Sequence, residues 1–146
     1  MTMMEFVYRF LKNDEAESAS VLEKECLDTA WTKEQIANLP ENAFYMGAFC
    51  GNTLCGVLSA YFVADEVQIM NLAVSPSFRR NGIAFGLLER LLIEAENRKS
   101  AIISLEVAEN NLSALALYEK LGFKHVGKRK GFYGDISAII MEKTFD

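Results

Sequence analysis

Apolar and polar positions follow two different periods along this chain. From Phe44 to Cys50 and from Thr53 to Phe62 the residues are rich in aromatic and β-branched types, with Gly51-Asn52 between them. That is the signal of two antiparallel strands joined by a tight turn. Glu66 to Val74 is a third run of this kind after the short Ala64-Asp65 turn, so a meander is predicted. Pro76 ends the strand pattern, and from Gly82 onward the period changes. Ala84, Leu87, Leu88, Leu91, Leu92 and Ala95 recur at offsets of 3, 4, 7, 8 and 11, with Glu89, Glu94 and Glu96 off the stripe. This spacing predicts a long amphipathic helix laid on a sheet.

The flanks add shorter elements. Glu5 to Phe10 reads as a first strand, and Asp14 is placed to cap a helix of weak periodicity running towards Glu25. Thr32 and Gln35 form a capping box for a second helix, with Trp31 set to staple onto Ile36 across its start. After the long helix, Ile102 to Val107 is a strand, and Asn110 or Asn111 caps a helix that ends at Leu121, with Gly122 in the left-handed position beyond it. Phe123 to Phe132 and Ile136 to Met141 are two last strands around Tyr133-Gly134-Asp135. The order β-α-α-β-β-β-α-β-α-β-β predicts an α/β (α+β) fold, a mixed sheet of about seven strands with helices on both faces.

Length and composition narrow the class. At 146 residues the chain is expected to be a single domain spanning 1–146, able to form a core without disulfides or metal. It has no apolar run near the roughly 20 residues that a bilayer requires and no signal-like start, so a cytoplasmic protein without membrane contact is expected. Cys26, Cys50 and Cys55 make no Cys-x-x-Cys and accompany only His125, which argues against a zinc site and predicts no metal. With a two-residue turn at Gly51-Asn52, Cys55 would face Ala48, leaving Cys50 and Cys55 as diagonal neighbours too far apart to bridge.

A net charge of −5 argues against direct nucleic-acid binding. The charge is uneven, however. Arg79 and Arg80 form one basic patch, and Lys124, Lys128, Arg129 and Lys130 a second, which suits a phosphorylated cofactor. The second patch reads equally as isolated surface charge.

The junction from Asn71 to Leu88 carries the candidate chemistry. A strand, a short polar loop and the start of a long helix present main-chain N–H groups at the positive end of a helix dipole, an arrangement that holds phosphates. Gly82 and Ala84 leave the backbone uncovered, and Arg79 and Arg80 supply charge beside it. The run fits neither a Walker loop nor a dinucleotide fingerprint.

Arg79-x-x-Gly82-x-Ala84 resembles the acetyl-CoA signature of the Gcn5-related N-acetyltransferase (GNAT) superfamily. Asn111-x-x-Ala-x-x-Leu-Tyr118-x-x-x-Gly122-Phe123 is similar to the second half of that family's core, and with Asn71-Leu-Ala-Val74 these blocks cover most of residues 67–126. Trp31, Leu105-Glu106-Val107, Tyr118 and Arg129-Lys-Gly-Phe-Tyr133 extend the resemblance to the bacterial ribosomal-protein alanine N-acetyltransferases (RimI type). The resemblance implies a mostly antiparallel sheet and acetyl-CoA as co-substrate. The cofactor would lie on Leu72, Ala73, Val74, Arg79, Arg80, Asn81, Gly82, Ile83, Ala84, Phe85, Asn111 and Tyr118. It implies Glu106 as general base and Tyr118 as general acid, with Trp31, Asn71 and Tyr133 on the acceptor side. The chain departs from the type at Gly134-Asp-Ile-Ser137, a shorter insert with Ser137 where an acidic residue is expected. That difference touches the substrate more than the fold or the cofactor.

The chemistry explains why a carboxylate and a phenol are wanted. An amine attacks a thioester only when neutral, and the departing thiolate must be reprotonated. Roughly 10 to 20% of a free α-amine is neutral at pH 7, against about 0.04% of a lysine. One carboxylate therefore suits an α-amine better, and the expected acceptor is a protein N-terminus. A small amine such as an amino acid, polyamine or antibiotic is the alternative, and a non-catalytic acyl-CoA sensor a second one. A monomer or weak dimer is expected.

Each residue also has a plainer reading. Glu106 could be an exposed strand-end carboxylate, Tyr118 core packing with Leu115, Asn111 a helix cap, and Tyr133 a packed strand end. Trp31 serves as a staple whether or not it meets an acceptor, and His125 reads as structural.

Overall fold

The computed structural model describes residues 4–145, without the side chains of Phe132 and Tyr133. Its elements are β1 (Val7–Phe10), α1 (Ala16–Cys26), α2 (Lys33–Ala37), β2 (Ala43–Cys50), β3 (Thr53–Val63), β4 (Glu66–Val74), α3 (Ile83–Asn97), β5 (Ile102–Ala108), α4 (Leu112–Lys120), β6 (Lys124–Tyr133) and β7 (Ile136–Thr144). The strands form one seven-stranded sheet in the order β1-β2-β3-β4-β5-β7-β6. β4 and β5 run parallel, while β1–β2, β2–β3, β5–β7 and β6–β7 are antiparallel. The predicted order of elements holds, as does the mixed, mostly antiparallel sheet. The chain divides into two compact units, one of the residues up to Tyr61 with Met70–Glu94, the other of Phe62–Ile69 with the residues from Ala95 onward.

In the first unit helices cover both faces of the sheet. Neighbouring residues of β3 point to opposite sides. Val57 packs with Ala19 and Leu22 of α1, Ile36 of α2, and Tyr45 and Ala73. Gly56 faces α3 instead, and a Cβ there would lie 2.8 Å from Ile83 Cγ2 and 3.4 Å from Leu87 Cδ1. The glycine thus lets the start of α3 settle against the sheet. The apolar stripe of α3 behaves as its spacing predicts, with Leu87, Leu88, Leu91 and Ala95 all buried.

Two local expectations change. Cys50 faces Thr53, but Ala48 pairs with Gly56 and Phe49 with Leu54, with a register shift between them. Cys55 is therefore the extra residue of a bulge and does not face Ala48, because an inserted residue moves the register of everything beyond it. All three cysteines are free thiols. Asp14 caps no helix either, since Asn13–Glu15 is a 3-10 turn leading into α1. Glu15 carries the polar role there. It accepts from the Lys12 amide at 2.8 Å and holds Arg9 through both carboxylate oxygens, at 2.8 and 2.7 Å.

In the second unit β7 pairs with β5 on one side and β6 on the other, so Glu106 lies opposite Ile140 and Arg129 opposite Ala138. The parallel ladder joins Glu66–Gln68 to Ile102–Ser104, and β4 runs on past it to Val74.

Candidate active site

In the first unit β4 leads into the predicted cradle. The Ser75 amide bonds Cys55 O at 2.8 Å, and Pro76–Phe78 forms a 3-10 turn closed by Phe78 N–H to Ser75 O at 2.9 Å. Arg80 (φ 67°) and Gly82 (φ 72°) are both left-handed, a conformation that favours glycine and puts successive amides on one side of the loop. The first helical bond of α3 runs from Gly86 N–H to Gly82 O at 2.9 Å. The amides of Gly82, Ile83 and Ala84 thus precede it, at the open end of the helix. No atom lies within 4 Å of where a Gly82 Cβ would stand, so the backbone there is uncovered. Residues 79–82 are exposed.

The side chains near this loop have separate duties. Asn81 Nδ2 donates to Phe78 O at 2.9 Å and to Arg79 O at 3.2 Å, which shapes the loop from within. Ile83 is buried against Gly56, so only its backbone is available to a ligand. The Cys26 thiol donates to Val74 O at 3.5 Å. Leu72 and Val74 are half-buried, and Ala73 is part of the core beneath α1.

In the second unit Glu106 sits near the end of β5. Its Oε1 accepts from Arg129 Nη2 at 2.6 Å and from Arg129 Nε at 3.1 Å. The small residues on the way explain the reach. Arg129 extends over Ala138, and Gly127, opposite Ile140, adds no side chain to that face. Glu106 is 25% exposed and Arg129 58%. One carboxylate oxygen is therefore taken up by a guanidinium, and among the described residues Oε2 accepts no hydrogen bond.

Tyr118 is positioned by the end of α4. The Phe123 amide bonds Tyr118 O at 3.0 Å and the Gly122 amide bonds Glu119 O at 3.0 Å, the paired bonds of a Schellman motif. Gly122 has φ 95°, which a side chain would strain. The motif brings the Phe123 ring edge-on to Tyr118, centroids 5.5 Å apart. Burial pushes the Tyr118 phenol well above its ordinary pKa, so it keeps its proton at any working pH. Asn111 caps α4, its Oδ1 accepting from Ala114 N–H at 3.3 Å.

Trp31 and Asn71, expected on the acceptor side, both belong to a polar cluster that the sequence pattern did not predict. Its centre is Glu23 on α1, 0% exposed. Glu23 Oε1 accepts from Trp31 N–H and from Asn71 Nδ2, each at 2.9 Å, and Oε2 accepts from the Tyr45 hydroxyl. Asn71 Oδ1 also accepts from Thr29 Oγ1 at 3.4 Å. A signal was present, because Glu23 follows Ala16, Ala19 and Ser20 by seven, four and three residues and so falls on the buried stripe. The Trp31 ring lies between Tyr45 and Tyr61, with centroids 6.2 and 6.0 Å away. Tyr133 ends β6, and its side chain lies outside the described residues.

The first unit thus carries a cradle at a helix start, and the second a strand-end carboxylate and a phenol set by a helix end. Residues 7–123 match the acetyltransferase (GNAT) family, and the chain belongs to that family, an acyltransferase class that acetylates nitrogen with acetyl-CoA as donor. Its relatives are more specific. The ribosomal protein bS18-alanine N-acetyltransferase of Escherichia coli K12 is 43% identical over 83 residues, 54% of this chain and 56% of that protein. The chain's match thus spans little more than half the length of that relative. The enzyme of the same name from Salmonella typhimurium is 33% identical over 138 residues, 84% of this chain and 93% of that one. A crystal structure of the ribosomal-protein-S18-alanine N-acetyltransferase from E. coli superimposes with a TM-score of 0.89 at 29% identity, covering 96% of this chain and 94% of the other. Among the described residues no helix is long and apolar enough to cross a membrane.

Proposed function

We propose that residues 1–146 work as one cytoplasmic acetyltransferase domain, which moves the acetyl group of acetyl-CoA directly onto the N-terminal α-amine of a protein. A ribosomal protein with an N-terminal alanine is the first candidate. The observation that carries this reading is the divided state of Glu106, one oxygen held by Arg129 and the other accepting no hydrogen bond among the described residues.

The residues present fit the cofactor. The uncovered backbone at Gly82 and the amides of Ile83 and Ala84 suit a diphosphate, with Arg79 and Arg80 as counter-charges. Leu72 to Val74 and Asn111 would hold the rest of the carrier through main-chain and amide groups. Acetyl-CoA supplies an activated thioester when bound. Glu106 Oε2 would take a proton from the acceptor ammonium; as the nitrogen bonds the acyl carbon and the carbon–sulfur bond breaks, the Tyr118 hydroxyl would give its proton to the departing sulfur and regain one from the acylated nitrogen. An acyl-enzyme is disfavoured because burial raises the pKa of Cys26 and Cys55 and their thiols donate to carbonyls.

Coenzyme A release is to be followed over a panel of N-terminal peptides, lysine peptides and small amines. Fast turnover of an alanine-led peptide is expected. Preference for a free small amine would replace the acceptor assignment, and cofactor binding without turnover of any amine would leave a sensor.

A further inference from the structure

Glu23 has no part in the chemistry just described, yet it is a fully buried carboxylate whose three hydrogen-bond partners are all neutral. Burying a charge without a cation opposes folding, and an aliphatic side chain would fill the same space with less desolvation cost. Burial indeed raises the Glu23 pKa, and the Tyr45, Trp31 and Asn71 donors only partly offset that. Core filling alone therefore does not account for it.

Its partners share a direction. The segment 27–32 between α1 and α2 is short, with no buried residue, and side chains hold it at several points. Ser20 Oγ donates to Trp31 O at 2.9 Å, Glu23 takes the Trp31 amide, and Asn71 of β4 reaches Thr29. Glu23 joins this loop to β2 through Tyr45 and to β4 through Asn71. Beyond the loop, Trp31, Tyr61 and Met70 line a cavity of about 300 Å³ with Gln35 and Asn38 at its polar side.

We propose that Glu23 is a positioning residue for the acceptor: its carboxylate fastens the 27–32 loop so that Trp31 stands as a fixed wall of the cavity that receives the acceptor chain. This rests on the reading that the acceptor is a protein N-terminus meeting Trp31. The role needs an acceptor of hydrogen bonds and no proton transfer, which separates it from catalysis. A glutamine can keep the two bonds that fasten the loop, since its carbonyl can take the Trp31 and Asn71 donors, and only the Tyr45 hydroxyl loses its acceptor.

Trp31 is the chain's one tryptophan, so its fluorescence reports the loop without any substrate. Glu23→Gln is expected to keep wild-type emission and kinetics. Glu23→Leu strands three buried donors, and emission shifts to the red with greater acrylamide quenching. The KM for an N-terminal peptide rises roughly 10-fold, while the KM for acetyl-CoA changes less than about twofold. Should Glu23→Leu not fold, Glu23→Asp carries the test: its carboxylate is withdrawn by one methylene from the Trp31 amide, and emission should shift in the same direction.

Loss of transfer in Glu23→Gln with unchanged Trp31 emission would make Glu23 a proton carrier and overturn the inference. So would a folded Glu23→Leu, or failing that Glu23→Asp, with wild-type emission and peptide KM. If wild-type protein acetylates no N-terminal peptide, the acceptor assignment is what fails, and the emission measurements still decide whether Glu23 anchors the loop.

Discussion

At the scale of single residues, the two proposed proton carriers have opposite surroundings. Glu106 lies partly open beside a guanidinium, whereas Tyr118 is buried with its ring against Phe123. Glu106→Gln is expected to lower kcat/KM about 100-fold, most at low pH where the acceptor is protonated and needs the base. A pH profile parallel to the wild type would remove Glu106 from that role. Tyr118→Phe should slow transfer at least 10-fold and leave coenzyme A affinity in calorimetry nearly unchanged. Lost binding instead would make Tyr118 a packing residue.

Two other carboxyls give stability opposite dependences on pH. Arg9 holds Glu15 down at about 2 from 4.5, so its contribution is present above pH 4.5 and is lost as pH falls towards 2. Burial raises Glu23 above 4.5, so the folded state binds its proton more tightly than the unfolded chain does. That contribution is present below 4.5 and is lost as pH rises through the folded value. Glu23→Gln should therefore flatten the fall in melting temperature between pH 4.5 and neutrality. A wild-type slope in the variant would contradict the raised value.

Among the elements, those with strong local punctuation were legible beforehand. Thr32 and Gln35 exchange both bonds of the capping box, at 2.8 and 3.1 Å, and Gly122 takes the left-handed position after α4. The register after Cys50 was not legible, because a bulge depends on what the neighbouring strand and helix require. Nor was the Arg129 contact, which spans a strand that the sequence places later in the chain. Glu23 carried a signal in its position on the stripe, but weak periodicity in α1 hid it. At this scale two glycine substitutions can be set against each other. Gly122→Ala and Gly51→Ala both force a side chain into positive φ, and each should cost roughly 1–2 kcal/mol in chemical denaturation. Gly122 also sets Tyr118, so only its variant should slow acetyl transfer. Equal effects on turnover would sever the link between the helix end and the phenol.

For the whole molecule, the order of elements and the mixed sheet followed from periodicity, while the substrate chemistry came from three short motifs that no composition argument could supply. The molecule's net charge of −5 opposes an anionic ligand at long range, so the proposed binding rests on the local amides and arginines of the cradle. Saturation with acetyl-CoA at about 100 times its Kd should stabilise the fold by about 2.7 kcal/mol, which for a chain of this size raises the melting temperature by several degrees. The absence of any shift would count against the cradle.

The grip of Arg129 on one oxygen of Glu106 has a consequence for which amines can be served. A free amino acid brings its own carboxylate within a few bonds of its amine, and that group would compete for the guanidinium and dislodge the proposed base. A peptide offers a neutral carbonyl at the same place and leaves the pairing alone. Free alanine should then be a poor acceptor beside an alanine-led peptide, and replacing Arg129 with methionine should narrow the gap.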